Sequence, residues 1–163
     1  MSRGRSARAR RPDRGAAVRH RISSEIDIAA QPDAVWAQLT DLAGYAAWNP
    51  FIPSAAGTVA VGERLALRLQ PPGGRALPIR PTVTEVVPGS VLEWLGHLGV
   101  PGLFDGRHRF ELTATPQGTR LVQSESFSGL LVRPLRGFLD GGTLAGFRAM
   151  DDALRRRVLE AGG

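Results

Sequence analysis

The chain has no cysteine and no lysine. The first absence excludes disulfides and thiolate metal sites, and suits a reducing compartment. The second leaves all 21 basic residues as arginine, which reads as a GC-rich bacterial genome rather than as chemistry. No apolar run approaches the ~18–20 residues needed to span a bilayer, so no transmembrane segment is expected. No Gly-rich phosphate loop occurs, because "PPGG" and "DGG" are turns without a strand–loop–helix context. The three histidines, His20, His97 and His108, are far apart and lack ligand spacing, so no metal is expected. No Ser–His–Asp set stands out, and no cofactor is implied. The expected location is cytoplasmic.

The 163 residues are enough for one domain with a sizeable core. The net charge of +6 does not describe that domain. Residues 1–21 hold eight arginines and one aspartate, or +7, and the remainder sums to −1. Residues 1–17 are therefore read as a disordered Arg-rich tail, and residues 18–161 as the domain. The tail has no signal-peptide core. It reads as a solvated extension or a mis-assigned start. The alternative is loose attachment to nucleic acid or an anionic membrane. The near-neutral domain argues against specific nucleic-acid binding.

Along the chain, Val18, Ile22, Ile26 and Ile28 alternate with polar residues as a half-buried strand. "QPDAVWAQLTDLAGYAAWNPF" switches to helical spacing. Pro32 suits a first helical position, and Val35, Leu39 and Leu42 form a stripe that Gly44 breaks. A second short helix spans Tyr45–Trp48. Trp36 is expected on the outer helix face, and Tyr45 and Asn49 near an entrance. "ERLALRL" points Leu65, Leu67 and Leu69 inward. "RPTVTEVV" is a strand whose inner face the pattern leaves open. In "VLEWLGH", Leu92 and Trp94 face inward and His97 outward. Pro134 suits a first helical turn. Leu144, Phe147, Met150, Leu154 and Val158 then repeat at helical spacing. Gly141-Gly142 marks a kink, a weak point, or a fresh start at Thr143.

"GRHRFELTATPQGTRLVQSESFSGLL" is a hairpin around Thr115-Pro116-Gln117-Gly118. If Ala114 faces Thr119, then Leu112 faces Leu121, Phe110 faces Gln123, and His108 faces Glu125. An imidazole and a carboxylate thus meet on an otherwise apolar face. One strand, two short helices, five or six antiparallel strands and a long helix leave a concave hollow between sheet and helix. Such hollows bind small ligands.

"GERLALRL", "PTVTEVVPGSVLEWLG", "GLFDGRHRFELTATPQGTRLVQSESFSGLL" and "GFRAMDDALRRRV" resemble the SRPBCC family, the START-like and birch-pollen-allergen-like superfamily of the polyketide cyclase/dehydrase and lipid transport type. The resemblance runs over residues 18–160. It implies an α+β helix-grip fold: a curved antiparallel β-sheet of about six or seven strands around a long C-terminal α-helix, with two short helices after strand 1. It implies a hydrophobic cavity and no universal catalytic motif.

Three roles fit the His108–Glu125 pair. It fixes hairpin register as a satisfied buried pair, it anchors the polar end of a ligand, or it performs acid/base catalysis. They are weighed in that order. The candidate cavity set is Trp48, Phe51, Leu67, Leu69, Trp94 and His108, with Phe110, Gln123, Glu125, Phe127, Phe147 and Met150. The plain alternative for the aromatics is packed core. The expected function is binding, transport or sequestration of a hydrophobic or amphipathic small molecule such as a lipid or polyketide. The reading favours a binding protein over an enzyme, with a polyketide cyclase/dehydratase as the alternative. Gly141-Gly142 and the 99–106 loop are the candidate gate. Oligomeric state and ligand identity are not written in these residues.

Overall fold

The computed structural model describes residues 19–162. Val18 and the Arg-rich tail lie outside them. The chain runs through β1 (Arg19–Ile28), α1 (Pro32–Thr40), a 3₁₀ turn (Leu42–Gly44) and α2 (Tyr45–Trp48). Strands β2 (Ser54–Ala56), β3 (Ala66–Leu69), β4 (Leu77–Ile79), β5 (Thr82–Val87) and β6 (Val91–His97) follow. The long hairpin β7 (Asp105–Thr115) and β8 (Gly118–Ser128) leads into α3 (Val132–Phe138) and α4 (Leu144–Ala161).

Five strands form one antiparallel sheet in the order β1-β8-β7-β6-β5, and β2-β3-β4 form a second. A bridge between Arg64 and Thr82 joins the two into a curved wall. Helix α4 packs on β1 and α1 inside that curve. This is a helix-grip fold. Among the described residues it has eight strands, including β2 and β4, two three-residue strands in segments too short to show alternation.

The elements follow from local chemistry. Pro32 opens α1, and Val35 and Leu39 bury one side of it. Pro116 and Gln117 form the tip of the β7–β8 hairpin between the paired Thr115 and Gly118. In α4, Phe147, Met150, Leu154 and Val158 are buried as the periodicity requires. Fully burying a side chain of this size contributes about 1.5–3 kcal/mol. The glycine pair does not restart the helix. Residues Leu139–Thr143 form a π-helical turn that joins α3 to α4 in one continuous rod.

Three placements differ from the sequence expectations. Tyr45 is fully buried, its hydroxyl donating to the Leu39 carbonyl at 2.6 Å, and is not at an entrance. Asn49 is buried too; its Oδ1 accepts from the amides of Phe51 and Ile52, so it shapes the turn. Trp36 is half-buried against the core. Strand β5 explains its unreadable face: a bulge between Val83 and Glu85 shifts the register, so Val83 opposes Trp94 and Val86 opposes Leu92. The bulge breaks the period of two. Among the described residues no helix is long and apolar enough to cross a membrane.

Candidate functional site

The β7–β8 hairpin pairs His108 with Glu125, Phe110 with Gln123, and Leu112 with Leu121. This is the register read from the sequence. His108 Nδ1 lies 3.3 Å from Glu125 Oε2. The imidazole stacks on Trp94 at a centroid distance of 5.1 Å and an interplanar angle of 13°. Phe110 and Phe147 close its other sides. His108 is only 4 % exposed, and its Nε2 has no protein partner among the described residues.

The inner face of the sheet changes character one step further along. Trp94 and His108 oppose each other; the next inner pair is Gly96 and Gly106. Two facing glycines leave the sheet floor bare. The Glu125 carboxylate uses that room: a Cβ at Gly106 would lie 2.5 Å from Glu125 Oε1. Aromatic rings fill the middle of the fold, and this end stays hollow.

The result is a cavity of about 390 Å³, within the usual range for small-molecule sites. Its floor is Trp94, Gly96, Gly106 and Glu125. Leu69, Arg75, Ala76, Leu77 and Ile79 wall one side. Leu98 and Phe104 come from the β6–β7 loop, and Leu135, Phe138, Leu139 and Thr143 from α3 and the π-turn. The lining is largely apolar, and Arg75, His97 and Glu125 supply its ionisable groups.

Of the residues expected around a cavity, Phe51, Leu69, Trp94, Glu125 and Phe127 line it. Leu67, His108, Phe110, Gln123, Phe147 and Met150 sit in the packed core instead. Trp48 is half-buried and meets Tyr45 edge to face at 5.0 Å. His108 therefore supports Glu125 from behind, while Glu125 reaches the open space. His97 is at the rim, its Nδ1 2.6 Å from Asp105 Oδ1.

The sequence reading missed Asp151. It falls on the buried side of α4, 3 % exposed, where the pattern calls for an apolar residue. Gln123 Nε2 donates to its Oδ1 at 2.8 Å, and Ser24 Oγ to its Oδ2 at 2.5 Å. Burial raises the Asp151 carboxyl above the usual carboxylate range, although the Ser24 and Gln123 hydrogen bonds oppose this. The available signal was its position four residues after Phe147, on the same helical face. The Gly96–Gly106 pair was also legible, once β6 was aligned with β7. Among the described residues no three His, Cys, Asp or Glu side chains gather into a metal-holding group.

Chemically, the site offers a half-open, largely apolar volume with one carboxylate in its floor. It can bury a hydrophobic body and hydrogen-bond one polar group.

Comparison with known proteins identifies the family and supports the fold. The family model described as "Polyketide cyclase / dehydrase and lipid transport" matches residues 19–159. No curated protein sequence matches the chain. Protein MLL2253 of Mesorhizobium loti is similar in structure, with TM-score 0.66 and 23 % identity over 88 % of this chain and 99 % of that one. The Zhui aromatase/cyclase of Streptomyces sp. R1128 has TM-score 0.69 and 18 % identity over 90 % and 99 %. Norcoclaurine synthase of Thalictrum flavum has TM-score 0.70 and 17 % identity over 91 % and 99 %. At these identities the likeness is one of fold.

Proposed function

The chain belongs to the polyketide cyclase/dehydrase and lipid transport family, and from that premise we propose that it binds a hydrophobic or amphipathic small molecule, such as a lipid or polyketide, for transport or sequestration. The observation that carries this reading is the largely apolar 390 Å³ cavity with Glu125 in its floor. Affinity comes from burial of apolar ligand surface, at about 25 cal/mol per Å². Glu125, backed by His108, orients a hydroxyl or other donor on the ligand. The unit that does this is residues 18–161, and the cytoplasmic setting expected from the sequence is part of the same reading.

Native mass spectrometry of the freshly purified protein, followed by organic extraction, tests it. A co-purifying lipid, polyketide or isoprenoid is the expected result. An apo mass, together with no thermal shift across a panel of hydrophobic ligands, would overturn it.

A second reading rests on the His108–Glu125 contact, since a carboxylate that orients an imidazole is an acid/base arrangement. In that case the protein is a cyclase or dehydratase, as the Zhui neighbour is an aromatase/cyclase. His108→Ala separates the two. A binding protein loses affinity only, whereas an enzyme loses turnover while still holding its substrate.

A further inference from the structure

Eight large hydrophobic side chains are exposed among the described residues. Five of them belong to the segments that frame the cavity. Leu77 and Phe138 line it directly. Val100 lies in the β6–β7 loop between the lining residues Leu98 and Phe104. Leu130 and Leu131 lead into α3, and their amides donate to the Gly102 and Leu103 carbonyls of that same loop. Leu130 is 80 % exposed, Val100 66 % and Phe138 52 %. Scattered single hydrophobes need no explanation, but a cluster around one opening does.

The charged side chains at this rim that lack an ion-pair partner among the described residues are arginines. Arg75, Arg133 and Arg136 are exposed and form no ion pair with another described residue. The nearby acids are engaged: Asp105 with His97, Asp140 with His20, and Glu125 inside the cavity with His108. Residues 1–18, which precede β1 in the sequence, carry six arginines and one aspartate. Arg19 pairs with Ser128, directly before Gly129 and Leu130. The first described residue is thus next to the apolar rim. An anionic lipid surface complements both features, apolar side chains for the acyl boundary and arginines for the headgroups.

We propose that the cavity rim, Leu77, Val100, Leu130, Leu131 and Phe138 flanked by Arg75, Arg133 and Arg136, docks on the surface of an anionic lipid bilayer. The inference goes beyond the ligand-binding reading and does not depend on what the cavity holds. Docking there would place the cavity mouth against the acyl region.

The test is flotation of the full chain with vesicles of phosphatidylcholine plus phosphatidylglycerol, and of phosphatidylcholine alone. Binding is expected to the anionic vesicles and to weaken with salt. Each arginine near such a surface contributes about fivefold in partitioning, so Arg133→Gln/Arg136→Gln should lose on the order of tenfold or more. Leu130→Ser/Phe138→Ser should lose binding with the arginines intact; Leu130→Ser alone, at an open position, guards against misfolding. Absence of binding to the anionic vesicles overturns the proposal. So does binding that the leucine and phenylalanine variants leave unchanged, which would be attraction by arginines alone. A dimer abolished by Leu130→Ser, without vesicle binding, would assign the rim to a second copy instead.

Discussion

Gln123 in β8 donates its Nε2 to Asp151 Oδ1 in α4 at 2.8 Å, a polar clasp between sheet and helix in the middle of an apolar core. Ser24 in β1 completes it from the neighbouring strand. Three elements that meet only in the folded state are therefore fixed in register by one carboxylate.

Asp151→Ala should be destabilising by about 1–3 kcal/mol, because it leaves buried donors unpaired. Asp151→Asn should cost less, since an amide can still accept from Gln123 and donate to Ser24. The two carboxyl states also predict a pH dependence. Burial raises the folded pKa of Asp151, so its contribution is full below the ordinary carboxylate range and is lost as pH rises through the folded value. Thermal unfolding of wild type and Asp151→Asn from acid to neutral pH should show the variant gaining on wild type as pH rises. Parallel curves would refute the assignment.

Glu93 on the outer face should behave in the opposite sense. Burial opposes its ionisation, but hydrogen bonds from Thr84, Arg107 and Arg109 outweigh this and hold its carboxyl below the usual range. A lowered folded pKa contributes stability above the unfolded value that disappears as pH falls through the folded one. Glu93→Gln should lose about 1–3 kcal/mol near neutrality. That deficit should shrink in acid, which chemical denaturation at two pH values would reveal.

Gly96 keeps the cavity floor bare. A Cβ there would meet only Pro81 Cβ at 3.6 Å and the Gly106 carbonyl at 4.0 Å, both ordinary contacts. The Cβ of Gly96→Val is therefore accommodated, and a β-branched residue suits a strand. The melting temperature should hold or rise, while binding of the co-purifying ligand falls at least about tenfold, the loss of about 1.4 kcal/mol. Calorimetry with undiminished affinity would place the ligand elsewhere.

The π-turn supplies Leu139 and Thr143 to the cavity wall, and it contains the two glycines Gly141 and Gly142. Gly142→Ala should stabilise the helix by up to about 1 kcal/mol. Its new Cβ would press on the Phe138 ring at 3.2 Å, a side chain with room to move. If this turn opens to admit ligand, the variant slows association. Stopped-flow on-rates equal to wild type would remove the turn as a gate.

Much of the fold was legible because its elements announce themselves locally. Alternation and the Pro-Gly turn defined the hairpin, and turn length then dictated that His108 face Glu125. Pro32 marked the start of α1 and the apolar stripe marked α4, whereas α1 ends at Thr40, ahead of the 3₁₀ turn that holds Leu42 and Gly44. Strands β2 and β4 and the inner face of β5 stayed hidden. The first two are too short for a period to show, and a bulge interrupts the third.

The candidate site divides the same way. The sequence by itself determined which residues share the inner face and which of them meet across the hairpin, since strand pairing is a matter of period and register. It could not determine which of those residues border empty space. That was decided by the curvature of the sheet, by the Gly96–Gly106 pair lining the same hollow as the π-turn, and by aromatic rings closing over His108. Volume is what remains after every element has packed, and no local pattern carries it.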